Sequence, residues 1–243
     1  MEWLGLQFVT ELPESGQVIL DCTHNPLLVL VAYLVACAAS FATLDMAERV
    51  AHADDPSSQR LWRWIGATCL AGGIWAMHFI GMLAFQAPIE IQYDLPITLF
   101  SLLIALLASW LAMYTLSHAQ PSLVLYLKTA LLIGLGIAGM HYVGMAAMQS
   151  RATAYYEPSL FALSIAIAIG ASFAALWVAG YLREGSGMAH QMLKYSAALI
   201  LGAGIFSMHF TGMAALQLVL PEGSLPATPV DTSQLQLGLT VAL

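Results

Sequence analysis

Charge is the scarcest feature of this 243-residue sequence: Asp, Glu, Lys and Arg make up 9% of it, while 60% is hydrophobic. A soluble domain carries about a quarter charged residues, so an ordinary soluble enzyme is disfavoured at the outset and a membrane chain is expected. The charges present sum to −7. No basic patch exists to hold a phosphate backbone, so no nucleic-acid partner is expected. Cysteine is nearly as rare: Cys22, Cys37 and Cys69 show no CxxC spacing, and the last two read as small hydrophobes in apolar runs, so they fix no redox compartment. Catalytic signatures are missing as well, with no GxSxG elbow, phosphate loop or HExxH run, and no acids paired for proton transfer. The N-terminal stretch has no basic region leading into a long apolar core, so it does not read as a cleaved signal peptide.

Long apolar runs are what the sequence does have. Six stretches, near 27–47, 64–86, 97–117, 128–149, 159–181 and 194–219, reach the roughly 20 residues that cross a bilayer. A seventh starts near Ser233 and is still running at Leu243, so the chain reads as a piece of a longer protein. Backbone groups in lipid need internal partners and the runs are too long for barrel strands, which leaves helices. Pro26, Pro96 and Pro158 stand at the starts of spans one, three and five, where a missing N–H does no harm. The expected fold is an all-α seven-helix membrane bundle, with residues 1–26 as an extracytoplasmic N-terminal segment and 27–243 as the membrane domain. Connections after the odd-numbered spans hold Arg49, Arg60, Arg63, Lys128, Arg183 and Lys194, while the other side has only Arg151. The positive-inside rule then places the N terminus in the periplasm and the C-terminal end in the cytoplasm of an inner-membrane protein.

A repeat underlies the spans. The even-numbered ones carry AMHFIGM, GMHYVGM and SMHFTGM, with His78, His141 and His209 separated by 63 and 68 residues. The odd-numbered ones carry Ala39–Phe41, Ala108–Trp110 and Ala171–Phe173, separated by 69 and 63. Two marks with one period describe a helix pair occurring three times. Gly73, Gly136 and Gly204 stand five residues before the histidines, and Gly81, Gly144 and Gly212 three after, as small residues that let membrane helices approach closely.

Each histidine shares a helical face with the methionine four residues on: His78 with Met82, His141 with Met145, His209 with Met213. Met77, Met140 and Met208 are rotated about 100° away and are secondary candidates. If the repeats close around an axis, the imidazoles converge in the outer half of the membrane. Neutral imidazole and thioether donors favour copper, the thioether selecting the monovalent ion, and add no charge to the bilayer interior; zinc would more often recruit cysteine or carboxylate. The competing reading of each residue is helix packing or a helix–helix hydrogen bond. His24, just outside span one, could complete or guard the site, and Tyr142 could orient a ligand from behind His141. Asp45 reads as a partner of Arg49, and His52, His118 and His190 as solvated surface.

The repeated Met-His-aromatic-x-Gly-Met motif resembles the MHYT family of bacterial membrane sensor domains, over nearly the whole chain. The Met-His-Tyr-Thr run of that family maps onto Met77–Ile80, Met140–Val143 and Met208–Thr211, with Tyr kept once, at Tyr142, and Thr once, at Thr211. The resemblance implies copper binding through the motif, sensing of a diatomic gas (oxygen, carbon monoxide or nitric oxide) or of redox state, and cytoplasmic domains after the seventh helix that make or break cyclic di-GMP. The chain itself would then be a sensor without catalysis, able to form a homodimer. The alternatives are a copper or small-molecule transport protein and a structural membrane anchor.

Overall fold

The sequence sets large apolar residues and small ones on opposite sides of each run, and the fold follows. In the computed structural model, which describes residues 2–3, 6–8, 17–118, 122–182, 185 and 187–221, six helices form: α1 (Pro26–Ala51), α2 (Pro56–Ala84), α3 (Leu95–Leu116), α4 (Leu123–Ala146), α5 (Pro158–Leu182) and α6 (Met188–Ala215). All six are long and apolar enough to cross a membrane. Their outward faces are large, as at Leu34, Leu107, Leu132 and Ile200, whereas Ala32, Ala36, Ala67, Ala105 and Ala112 are buried. This is the pattern of helices packed by close backbone approach in lipid. Each helix contacts the next in sequence and α6 returns to α1, which closes the ring.

Helix starts are fixed locally. Asn25 Oδ1 accepts from the backbone of Leu27 and Leu28, Asp55 from Ser57 and Ser58, Asp94 from Ile97, Ser122 from Leu125, and Glu157 from Ser159 and Leu160. These caps satisfy amide donors that a first turn leaves unpaired. At Asp55 and Glu157 the hydroxyls of Ser58 and Ser159 also donate, and these bonds first, then the amides, hold the carboxyls below their usual range.

The all-α expectation holds for the spans but not for one end of the bundle. There the chain adds short strands: β1 (Glu2–Trp3), β2 (Leu6–Phe8), β3 (Gln17–Ile19), β4 (Thr23–His24), β5 (Phe85–Gln86), β6 (Gln92–Tyr93), β7 (Met148–Gln149), β8 (Thr153–Tyr156) and β9 (Leu216–Pro221). A five-stranded sheet runs β1-β2-β8-β9-β3, and two-stranded pairs join β4 with β5 and β6 with β7. The strand before each odd helix thus pairs with the strand after the following even helix. The amides of Asn25, Asp94 and Glu157 add to this by donating to Ala84, Ala147 and Ala215, each at 2.8 Å. Three helix pairs are zipped at the same end.

Span limits shift for the same reason. Residues 216–219, expected in the sixth helix, lie in β9, and residues 85–86 and 148–149 lie in β5 and β7. At the other end α2 begins at Pro56, eight residues before the expected start, because Asp55 and Pro56 form a cap and first turn. The seventh span, expected from about 233, lies outside the described residues. His190, expected on solvated surface, lies in α6 and is largely buried beside Lys194, which is 1% exposed.

Candidate metal centre

His78, His141 and His209 sit five or six residues from the ends of α2, α4 and α6, hence roughly 8–9 Å along each axis. The zipped ends hold these three helices at one depth, and the imidazoles meet. Nδ1 of His78 lies 3.0 Å from Nδ1 of His209 and 3.1 Å from that of His141, and the third side of the triangle is 3.3 Å. Ring centroids are 4.9, 4.9 and 5.1 Å apart with planes at 81–88°. All three side chains are buried, at 0–1% exposure.

Glycine makes this packing possible. A Cβ on Gly81 would collide with His209 Nε2, one on Gly144 with His78 Nε2, and one on Gly212 with His141 Nε2. Every ring therefore rests on the backbone of another motif helix, cyclically. The earlier glycines act within helix pairs: Gly73 faces Ala39, Gly136 faces Ala108 and Gly204 faces Ala171. That contact joins the two marks of the sequence repeat.

The donor set fits a cation. A neutral imidazole Nδ1 either donates or accepts. Among three such atoms at least two must then be alike, so one contact always sets two lone pairs or two protons face to face. Hydrogen bonding alone cannot satisfy the triangle. One positive ion resolves the conflict, because all three nitrogens can then present lone pairs. Nitrogens bound at roughly 2.0–2.1 Å in a tetrahedral set stand about 3.3 Å apart, close to the observed sides. The Nε2 atoms are buried without a hydrogen-bond partner among the described residues. Leaving such groups unpaired costs roughly 1–3 kcal/mol each, which strong binding at the other nitrogen could offset. These three histidines are the group of potential metal-binding residues among the described residues.

The other sequence candidates distribute as follows. Met82, Met145 and Met213 are buried in the main core, one turn beyond the histidines toward the strands, and Met77, Met140 and Met208 are equally enclosed. His24 stays outside the triangle. Its ring packs against Phe85 and Phe210, each with centroids 5.5 Å away, and its Nε2 is buried without a hydrogen-bond partner. Burial holds its imidazole below the ordinary histidine value. Tyr142 directs its hydroxyl to Ser164 Oγ at 2.6 Å. Because Ser164 donates its own proton to Phe161 O at 2.8 Å, Tyr142 is the donor, and the bond ties α4 to α5 rather than reaching a histidine nitrogen.

A second polar cluster, at the opposite end, escaped the sequence reading. Lys194 Nζ donates to Glu48 Oε2 at 2.6 Å and to Asp45 Oδ1 at 3.0 Å, Arg49 Nε donates to Asp45 Oδ2 at 2.9 Å, and His190 Nε2 lies 3.6 Å from Glu48 Oε1. Only the Asp45–Arg49 pair is close enough in sequence to have been anticipated.

Comparison with known proteins gives a consistent result. A family model described as a bacterial signalling protein N-terminal repeat, MHYT, matches residues 72–127, 134–191 and 202–241. The chain is 52% identical over 238 residues to the cyclic di-GMP phosphodiesterase NbdA of Pseudomonas aeruginosa, covering 98% of this chain and 30% of that protein. It is 44% identical over 202 residues to the bifunctional diguanylate cyclase/cyclic di-GMP phosphodiesterase MucR of the same organism, covering 83% and 29%. Against the signaling protein YkoW of Bacillus subtilis it is 32% identical over 206 residues, covering 83% and 26%. The chain thus spans less than a third of the length of these relatives. No solved structure matches it.

Proposed function

Since the chain belongs to the MHYT family of bacterial signalling protein N-terminal repeats, we propose that it is a membrane sensor domain whose three histidines hold one copper ion and report a diatomic gas or redox state. Its output would be the turnover of cyclic di-GMP by cytoplasmic domains that follow it, the activity that the names of two relatives carry. In this reading the complete bundle has seven helices, three repeated pairs and a further one from about residue 233. The histidine end faces the periplasm, following the distribution of basic residues.

The single observation that carries the proposal is the buried Nδ1 triangle with sides of 3.0–3.3 Å, one nitrogen from each even helix. Imidazoles alone suit zinc as well as copper. The thioethers of Met82, Met145 and Met213 on the same helical faces favour copper, and neutral donors suit a lipid-enclosed site. His78, His141 and His209 would hold the copper ion, which would supply a one-electron couple. The protein's part is to orient three rings on three glycine seats, exclude water with the strands above, and tie the spacing of α2, α4 and α6 to what the rings hold. A sensor requires two bundle states whose energies differ with that occupancy.

Elemental analysis of the chain purified in detergent tests this directly. Near-stoichiometric copper is expected, with loss in each of His78→Ala, His141→Ala and His209→Ala. Full metal content in the three variants, or zinc in place of copper, would overturn it. Unchanged cyclic di-GMP output from a full-length protein lacking all three histidines would instead support a structural anchor.

A further inference from the structure

Beneath the histidines lies a chamber to which all six helices contribute, with about 70 Å³ of free space. Its upper wall includes Ile74, Ile137 and Ile205, each four residues before a motif histidine. These isoleucines therefore stand about 6 Å along the helix axes from the motif histidines. Met208, adjacent to His209 in sequence, also lines it.

The lining is almost wholly apolar. Its polar side chains are Ser40, Thr43 and Ser172, and two of these have committed their protons: Thr43 Oγ1 donates to Ala39 O and Ser172 Oγ to Ala168 O, both at 2.7 Å. Ser40 Oγ alone is buried without a hydrogen-bond partner. A buried water needs two to four polar partners and apolar cavities stay dry. Small residues leave the chamber unfilled: Gly204 packs directly on Ala171, and Ala112 and Ala168 have no side-chain length to reach into it.

We propose that this chamber is a binding site for a single small apolar molecule the size of a diatomic gas, held beside the histidine centre and separate from it. Size selects the class. An apolar cavity of about 150 Å³ accepts benzene or xenon, and this one offers about 70 Å³, less than half that space, which suits one gas-sized molecule better than an aromatic ring. The identification of the natural occupant as a diatomic gas rests on the sensor reading above; the existence of the site does not, because nothing in its wall requires a metal.

Xenon is the probe, applied under pressure to metal-free chain in lipid nanodiscs with ¹³C-labelled isoleucine methyls. The methyls of Ile74, Ile137 and Ile205 are expected to shift saturably with xenon pressure. That of Ile200, which is 71% exposed to the lipid side, is expected to respond weakly and linearly. Ala168→Leu, which fills the space, abolishes the saturable part. Dioxygen, being paramagnetic, is expected to broaden the same three methyls more than Ile200. A linear response at the three methyls no larger than at Ile200 overturns the proposal, and this comparison needs no variant. So does a saturable response that survives in folded Ala168→Leu protein, or Overhauser contacts from lipid chains to the lining methyls. Copper content, measured separately, would stand or fall on its own.

Discussion

Lys194 and His141 are both shut away from solvent, at 1% and 0% exposure, at opposite ends of one bundle, yet their surroundings differ in kind. Around Lys194 the fold gathers Asp45 and Glu48, with Arg49 and His190 against them, so that buried charge meets opposite charge. Around His141 it gathers only His78 and His209. A structural cluster needs compensation within itself, and the Lys194 end has it. At the histidine end, among the described residues, the three Nδ1 atoms have only one another and the Nε2 atoms have no hydrogen-bond partner, so the cluster lacks internal compensation and is able to coordinate a metal.

The comparison is broken most forcefully at the charged end. Replacing both carboxylates, Asp45→Asn with Glu48→Gln, leaves Lys194 buried against neutral groups. Stranding one member of a buried ion pair costs about 3–5 kcal/mol, and the carboxylates here are 22–29% exposed, so about 3 kcal/mol is expected. Denaturant or thermal unfolding in detergent measures it. Copper binding by the folded fraction should be unchanged, since the two clusters share no residue. A parallel fall in copper would show that the ends are coupled.

A smaller effect is expected at the histidine end. Gly144→Ala drives a Cβ into His78 Nε2 and to 3.0 Å from its Cδ2. The helix backbone cannot retreat, so the ring must, and the Nδ1 triangle opens. Overpacking of this type costs roughly 1–3 kcal/mol, and copper affinity should fall at least about tenfold, which is about 1.4 kcal/mol. Gly72→Ala is the matched control: no atom lies within 4 Å of its added Cβ, and helix propensity alone predicts a gain of up to about 1 kcal/mol. Isothermal titration with monovalent copper, beside unfolding curves, separates the two variants. Equal affinity in both would show that the glycine seat does not position the ring.

How far each end could be read from the sequence follows from the distances involved. The histidines were legible because the motif is local, set by 3.6-residue periodicity, and occurs three times. Their convergence follows from closure of the helix ring, which the sequence leaves open. Lys194 finds partners 146 and 149 residues away, and a single lysine near a helix start carries no sign of them. The strands were hidden for another reason. Pairs such as Thr23–His24 with Phe85–Gln86 are too short to show alternation, and β9 continues the apolar run of α6 without a break in hydrophobicity. Length and polarity, which located the spans, say nothing about where a helix gives way to a strand.

Tyr142 sharpens the comparison at the smallest scale, because it lies beside His141 and yet belongs to the scaffold. Its ring sits edge-on to the imidazole with centroids 4.7 Å apart, beside the position where the sequence suggested a hydroxyl orienting a ligand. The hydroxyl instead serves Ser164 on α5. As donor to Ser164, whose own proton goes to Phe161 O, Tyr142 keeps its proton on oxygen. Tyr142→Phe should therefore cost about 1 kcal/mol, the net worth of one hydrogen bond, while copper content and affinity stay at the parent level. A loss of copper at unchanged stability would return Tyr142 to the metal centre. The corresponding residues of the other motifs, Phe79 and Phe210, have no hydroxyl to offer. A role demanded of Tyr142 at the metal would have to be met by one ring of three, whereas a bond between α4 and α5 is needed only once.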